Sequence, residues 1–267
     1  MNIDSIRLVS KSHLVLVKKG KGMEIIFESS DWHCGPDGLS EEAKEFITRG
    51  KDATATIVGC GDLFNLLPLG REKFEGSSAV KELIQALDGY LFHYVCGNHD
   101  PYRWVVELFR PFPNVKVKRR LEREVMGRTY LFTHGHQWAI DWALLRHIAP
   151  QFVEFMVDFF PKLWYRLCRR VGWLPSEAKP KAATGGKERQ KYDDLTGLIW
   201  RNGIRFAQHH SLCVVLGHTH TSAELKRFVD ENTGTVSVMV DGGDLRDGTY
   251  VVVDRDAHLE HLNWLYG

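Results

Sequence analysis

Five times along this chain, a short run of apolar or β-prone residues stops abruptly at Asp, His, Asn or Gly. "MEIIFESS" stops at "DWH", "ATATIVGC" at "GDLFN" and "LFHYVC" at "GNHD". "RTYLFT" stops at "HGH" and "SLCVVL" at "GHTH". Runs of this length, rich in β-branched and aromatic residues and bounded by turn formers, predict strands. Helical patterns separate the early runs. In "SSAVKELIQALDG", Val80, Leu83, Ile84 and Leu87 recur at helical spacing and Gly89 is a stop. Strands alternating with helices predict an α/β sandwich. Sites in such sheets gather beyond the carboxyl ends of strands, and all five polar stops fall at that end.

Near the N-terminus, "HLVLV", "KKGKG" and "MEIIFESS" read as a β-hairpin. At the other end, "TVSVMV", "GTYVVVD" and "HLEHLNWLY" read as three more strands. Between "HGH" and "GHTH" the pattern changes. Trp138 to about Leu174 is helix-like and aromatic-rich, and Pro150 and Pro161 are expected to break it into shorter helices. A polar stretch near 176–191 then reads as a mobile basic loop, and a further helix is expected from Leu195 to Gln208. The expected organisation is a single domain over 1–267 with a helical insertion at 137–208.

Bulk properties narrow the class. Of 267 residues, 35 are Lys or Arg and 34 are Asp or Glu, so no basic excess points to nucleic acid. Five cysteines without a CxxC pair argue against a disulfide framework and for a reducing compartment. The first residues carry scattered charges and no apolar core of a signal peptide, and no apolar run is long enough to span a bilayer. A cytoplasmic protein, in peripheral contact with a membrane at most, is the expectation.

The polar stops carry the chemistry. In extended backbone, residues two apart point the same way, so Asp31 and His33 would converge while Trp32 turns away. His218 and His220 repeat that spacing. Carboxylate oxygens and imidazole nitrogens suit divalent Mn, Fe or Zn. Cys34, Cys60 and Cys96 lie beside these motifs but read as small core residues. His93, on an apolar run, reads as a core or surface residue.

The ordered set Asp31-x-His33, Gly61-Asp62, Gly97-Asn98-His99-Asp100, His134 and Gly217-His218-x-His220 resembles the calcineurin-like metallophosphoesterase superfamily. The resemblance implies a four-layered αββα sandwich and two divalent metal ions, with Mn the first expectation. It implies one metal on Asp31, His33 and His220, a second on Asn98, His134 and His218, and Asp62 bridging both. A metal-bridging hydroxide would attack phosphorus, with His99 as the catalytic acid for the leaving oxygen.

One position departs from the family. The family pattern G-D-x-x-D reads "GDLFN" here, so Asn65 replaces an acid that orients the catalytic His. An amide oxygen can still accept a hydrogen bond from His99, but it raises the imidazole pKa less. Asp100 would either compensate or cap the helix "PYRWVVELF", and capping is the favoured reading. His136 reads as a neighbour of the site rather than a ligand.

The insertion suggests the substrate class. Residues 137–192 hold ten Lys or Arg against five Asp or Glu, among them Arg166, Arg169 and Arg170 near Trp164 and Trp173. Such a segment is either a helical layer with a solvated face, or a lid that covers an apolar substrate or meets an anionic membrane. A cap after this His, with "GDLFN" and "GHTH", is similar to the UDP-2,3-diacylglucosamine pyrophosphatase branch. That branch carries Arg where this chain has His99. The expectation is a phosphohydrolase acting on a small-molecule phosphodiester or pyrophosphate, best a lipid-linked nucleotide. Alternatives are a soluble nucleotide or cyclic-nucleotide phosphodiesterase, and a non-catalytic scaffold on the same fold.

Overall fold

The computed structural model describes residues 24–138, 149–171, 187–219, 225–229, 236–241, 245, 248–254 and 257–261. The first strand of the expected N-terminal hairpin lies outside them. The described strands and helices follow in order as β1 (Ile26–Ser29), α1 (Glu41–Asp52), β2 (Thr56–Cys60), α2 (Leu66–Leu69), α3 (Ser78–Leu87), β3 (Phe92–Val95), α4 (Tyr102–Phe109), β4 (Val115–Lys118), β5 (Leu121–Val125) and β6 (Arg128–Thr133). Then come α5 (Ala149–Phe159), α6 (Pro161–Val171), α7 (Lys187–His210), β7 (Cys213–Leu216), β8 (Leu225–Val229), β9 (Val236–Asp241), β10 (Thr249–Val253) and β11 (Ala257–His261).

Two sheets result. One has the order β11-β10-β1-β2-β3-β4, and the other β5-β6-β7-β9-β8. Strands β1 to β4 are mutually parallel, as are β6, β7 and β9. The carboxyl ends of β1, β2 and β3 therefore point the same way, and so do those of β6 and β7.

Side-chain alternation builds the layers. On β1, Phe27 joins a core with Phe46 of α1, Leu83 of α3 and Phe109 of α4. Its neighbour Ile26 faces the other way, where Val58, Val95 and Val251 meet Tyr130, Phe132 and Val215 of the second sheet. The outer face of that second sheet, through Leu131, Val214 and Leu216, packs on Ile199, Trp200 and Ala207 of α7. The order is helices, sheet, sheet, helix: a four-layered α/β sandwich. His93 is a core residue between the sheets, where its Nε2 accepts from Arg123 Nη2 at 2.9 Å.

Local signals explain the early helices. Ser40 caps α1, its Oγ accepting from Ala43 N, with Glu41 and Glu42 in the first turn and Arg49 and Lys51 in the last. Ser77 caps α3 in the same way, and Asp88 ends it in left-handed backbone just before Gly89.

Later elements depart from expectation in two places. Helix α7 begins at Lys187, inside the stretch expected to be a loop and eight residues before Leu195. The polar "KERQ" that suggested a loop consists of good helix formers. Pro150 sits in the first turn of α5, where a missing N–H costs nothing, so a helix starts at it. Pro161 separates α5 from α6 as expected. Strands β4, β5 and β8 were not anticipated; "VKVK" and "LEREV" are too charged on one face to stand out.

Candidate metal centre

The loops after β1, β2 and β3 carry "DWH", "GDLFN" and "GNHD"; those after β6 and β7 carry His134 and His218. Asp31, Asp62, Asn98, His99, His134 and His218 are all buried. They meet at one end of the sandwich, where the two sheets abut. His220 lies outside the described residues.

The convergence of Asp31 and His33 does not come from strand alternation. Strand β1 ends at Ser29, and both residues have left-handed backbone, with φ of 56° and 48°. Asp62 and His218 do too, at 52° and 73°. Such conformations cost roughly 1–3 kcal/mol each in non-glycine residues and persist where surroundings over-determine them. Here the constraint is a ladder between the first two loops. Asp31 N donates to Gly61 O at 3.0 Å, His33 N to Asp62 O at 2.9 Å and Cys34 N to Leu63 O at 2.9 Å. Trp32 does turn away: it is buried against Phe46 and Phe92, and its Nε1 donates to Ser29 Oγ at 2.8 Å. Two glycines permit the closest approaches. A Cβ on Gly61, whose φ is +87°, would collide with the His134 ring, and one on Gly97 would collide with Asp62.

The second sheet is tied in by His218 N, which donates to Asp31 Oδ2 at 2.8 Å; within the first sheet, His99 N donates to Asp62 Oδ1 at 2.8 Å. His134 Nδ1 donates to Cys60 O at 3.2 Å, which commits that nitrogen and leaves Nε2 to face the centre. That Nε2 lies 3.2 Å from Asp62 Oδ2, 3.1 Å from Asn98 Oδ1 and 3.1 Å from His218 Nδ1. Donor atoms bonded at ~2.0–2.2 Å to one ion stand roughly 3.0–3.5 Å apart. The spacing thus fits neighbouring corners of a cation's coordination shell, and the donor types suit a first-row divalent ion.

A second group overlaps the first. Ligand atoms of His33, Asp62 and His99 lie within 4.8 Å of one another, as do those of Asp62, His134 and His218. Asp62 belongs to both. His99 therefore sits beside the other candidate donors, with its ring 5.0 Å from that of His33.

Asn65 organises this second group. Its Nδ2 donates to His33 O at 2.9 Å, so Oδ1 faces the imidazoles. Oδ1 then accepts from His33 Nδ1 at 2.9 Å and from His99 Nδ1 at 3.0 Å. One amide oxygen orients both rings, and His33 Nε2 lies 3.7 Å from Asp31 Oδ1. The link to His99 was expected from the motif; the link to His33 was not, and nothing in the spacing signals it.

Asp100 does not cap α4. Pro101 occupies the N-cap without a side-chain bond. Asp100 Oδ2 instead accepts from Phe64 N at 2.9 Å and Tyr94 OH at 2.5 Å. It ties the "GDLFN" loop to β3 and does not touch His99. The N-terminus of α4 is served from the insertion: Tyr102 N donates to Asp158 Oδ1 of α5 at 3.2 Å.

Protonation follows charge and burial. Burial opposes a charge on His134 and His33, yet the carboxylates outweigh it. Asp62 raises His134 to about 9, and Asp31 and Asp62 raise His33 to about 9. Burial would lift Asp62, but His134 and His99 hold it well below the usual carboxylate range. Burial and the neighbouring His134 lower His218. Burial, with Asp62 nearby, lifts Asp100 to about 7. Protons gather on the imidazoles that face Asp62, which is where cations would replace them. His136, with its Nδ1 buried beside the site, is pushed down to about 3 by burial and by His134.

The insertion reaches this centre. The Tyr165 ring of α6 stands edge-on to His99, 6.3 Å between centroids. Helix α5 is pinned to the body by Arg119–Asp158 at 2.6 Å and Arg120–Glu154 at 2.5 Å. Trp142 and Trp173 lie outside the described residues. The side chains of Arg169 and Arg170 lie outside them too.

No family model and no curated protein matches the chain. Among solved structures it is similar to a novel archaeal phosphodiesterase, 13% identical over 89% of this chain and 99% of that one, TM-score 0.40. It is also similar to a Thermotoga maritima protein solved by NMR, at 19% identity over 90% and 99% with TM-score 0.37. A third is vacuolar protein sorting 29 from Cryptosporidium parvum, at 13% identity over 90% and 92% with TM-score 0.39. No helix among the described residues is long and apolar enough to cross a membrane.

Proposed function

We propose that this chain is a metal-dependent phosphohydrolase of the calcineurin-like metallophosphoesterase type, one domain with its helical insertion at 137–208. The observation that carries this is the buried double cluster sharing Asp62. In it, His134 Nε2 faces a carboxylate oxygen, an amide oxygen and an imidazole nitrogen at 3.1–3.2 Å with its other nitrogen already committed. Without an ion, a proton on His134 must hold Asp62 in this buried place, and a divalent cation would replace that proton.

His134, His218, Asn98 and Asp62 would hold one ion. Asp31, His33 and Asp62 would hold the other, together with His220 on the family resemblance. Two divalent ions, Mn²⁺ first, supply an activated water and neutralise phosphoryl charge when bound. The chain's own work is positional. Asp62 spans both groups, Asp31 ties the loop after β7 to the loop after β1, and Asn65 aims His33 and His99. His99, oriented through Nδ1, would give a proton to the leaving oxygen from Nε2.

The substrate proposed is a phosphodiester or pyrophosphate, with a lipid-linked nucleotide such as UDP-2,3-diacylglucosamine as the best single choice. Contact between Tyr165 and His99 supports it, because the aromatic insertion then borders the reacting group. A panel of monoesters, cyclic nucleotides and lipid-linked pyrophosphates, assayed with Mn²⁺, tests the reading. Turnover of cyclic nucleotides alone would favour a soluble phosphodiesterase. No turnover by a chain that binds metal would favour a scaffold.

A further inference from the structure

Helices α5 and α6 form a hairpin with two unlike faces. Val153, Val157 and Trp164 pack together inside it, with Met156 against them. The opposite face is apolar as well, but open. Phe155, Phe159 and Phe160 keep 46%, 48% and 48% of their surface exposed, and Leu163 keeps 58%. Phe155 stacks on Phe159 at 4.8 Å and packs against Phe160 at 5.8 Å, so the rings form one patch. Single exposed apolar residues need no explanation, whereas a contiguous aromatic patch marks a surface meant to be covered.

The charges around the patch decide what covers it. Lys162 and Arg166 of α6 are exposed and pair with no carboxylate among the described residues. Arg103 of α4 lies over the Phe159 ring at 4.7 Å. The acids of α5 are committed elsewhere: Asp158 and Glu154 bind Arg119 and Arg120. The patch is thus apolar at its centre and cationic at its rim. A second copy of this chain would set cations against cations. An anionic bilayer surface complements both features, accepting rings at the headgroup boundary and attracting the rim.

We propose that the α5–α6 hairpin docks the protein on anionic membrane surfaces through Phe155, Phe159, Phe160 and Leu163, steered by Lys162, Arg166 and Arg103. The hairpin also carries Tyr165, so docking would bring the metal centre close to the lipid surface. This concerns the surface and not the chemistry, so it stands or falls separately from the phosphohydrolase reading.

The test is co-sedimentation of the full chain, metal-loaded and metal-stripped, with phosphatidylcholine vesicles with and without phosphatidylglycerol. Both forms are expected to sediment with the anionic vesicles, less so as salt rises. Combined Phe155→Ser, Phe159→Ser and Phe160→Ser is expected to cut binding about tenfold or more. Lys162→Glu with Arg166→Glu is expected to remove the preference for anionic lipid. Unchanged thermal melts would show that both variants fold. Three results would overturn the proposal: no sedimentation, equal sedimentation of the variants, or lipid-free self-association that the Phe substitutions abolish. The last would identify a second copy as the occupant.

Discussion

The loops at the strand ends and the α5–α6 hairpin are both rich in unusual residues, but they are built on opposite terms. In the loops, Asp31, Asp62 and His134 are held by backbone, and His33 and His99 by Asn65. Asp62 Oδ1 takes His99 N, Asp31 Oδ2 takes His218 N, and His134 is aimed by Cys60 O. Four residues there accept left-handed backbone, and glycines stand where a Cβ has no room. In the hairpin, aromatic rings face solvent and two ion pairs with one backbone bond fasten α5 to the body. Geometry is over-determined in the first region and composition alone distinguishes the second. Substitutions should therefore act on chemistry in one and on partners in the other.

The largest effect expected is from removing the ions. Chelation should abolish hydrolysis of bis(p-nitrophenyl) phosphate, and Mn²⁺ should restore it. Asp62→Ala should abolish it irreversibly, with bound metal near background by elemental analysis. Hydrolysis indifferent to chelator would break the comparison at its root.

Next in size is His99→Ala, expected to lower turnover by about 10²–10⁴ while leaving most of the metal in place. Because His99 stands among the donors of the His33 group, metal content is the deciding readout. Loss of metal in step with activity would make it a ligand rather than an acid.

Asn65→Ala should cost about 10–100-fold, the usual range for a residue that orients those at a metal. Both rings lose their guide, so metal affinity and turnover should fall together. Asn65→Asp should keep the orientation and move the pH–rate profile, since a carboxylate favours the protonated imidazole. A profile left in place would show that Asn65 only positions.

A smaller effect concerns pH and the metal-free protein. His33 and His134 are raised in the fold to about 9 from an ordinary value of 6.5. Their contribution to stability is complete below pH 6.5 and is lost as pH rises through 9. The metal-free Tm should therefore decline between pH 7 and 10, and metal should suppress that decline. A flat metal-free curve would mean that the carboxylates do not hold those protons.

The smallest effect is expected at the hairpin surface. Phe155→Ser or Phe159→Ser should change unfolding free energy by no more than about 0.5 kcal/mol and leave hydrolysis of a small diester unchanged. A large loss of stability would mean that the patch belongs to the core.

The sequence conveyed identity better than conformation. Strand ends with Asp, His and Asn were readable because short apolar runs stop so sharply, an α/β sandwich followed from alternation of strands and helices, and the αββα order was implied only by the family resemblance. The backbone of "DWH" was not readable. Extended chain would also have brought Asp31 and His33 together, so the sequence could not distinguish that from the left-handed turns observed. The role of Asp100 is hidden in the sequence because a helix begins next to it, while its partners, Phe64 and Tyr94, depend on how two loops pack. Asn65 looked like a weakened copy of an acid. Its second partner, His33, appears only once the first two loops run side by side. Tyr165 carries no local signal; an aromatic among many aromatics gains meaning only from its place beside His99.

The bond from His218 N to Asp31 Oδ2 joins residues far apart in the chain, one from each sheet. Such a contact cannot form until nearly the whole chain has found its place, because closing so long a loop is entropically deferred. The candidate centre is therefore expected to be among the last features completed in folding. Metal affinity in this protein should report the final docking of the two sheets, and a refolding experiment followed by metal uptake would lag one followed by helix content.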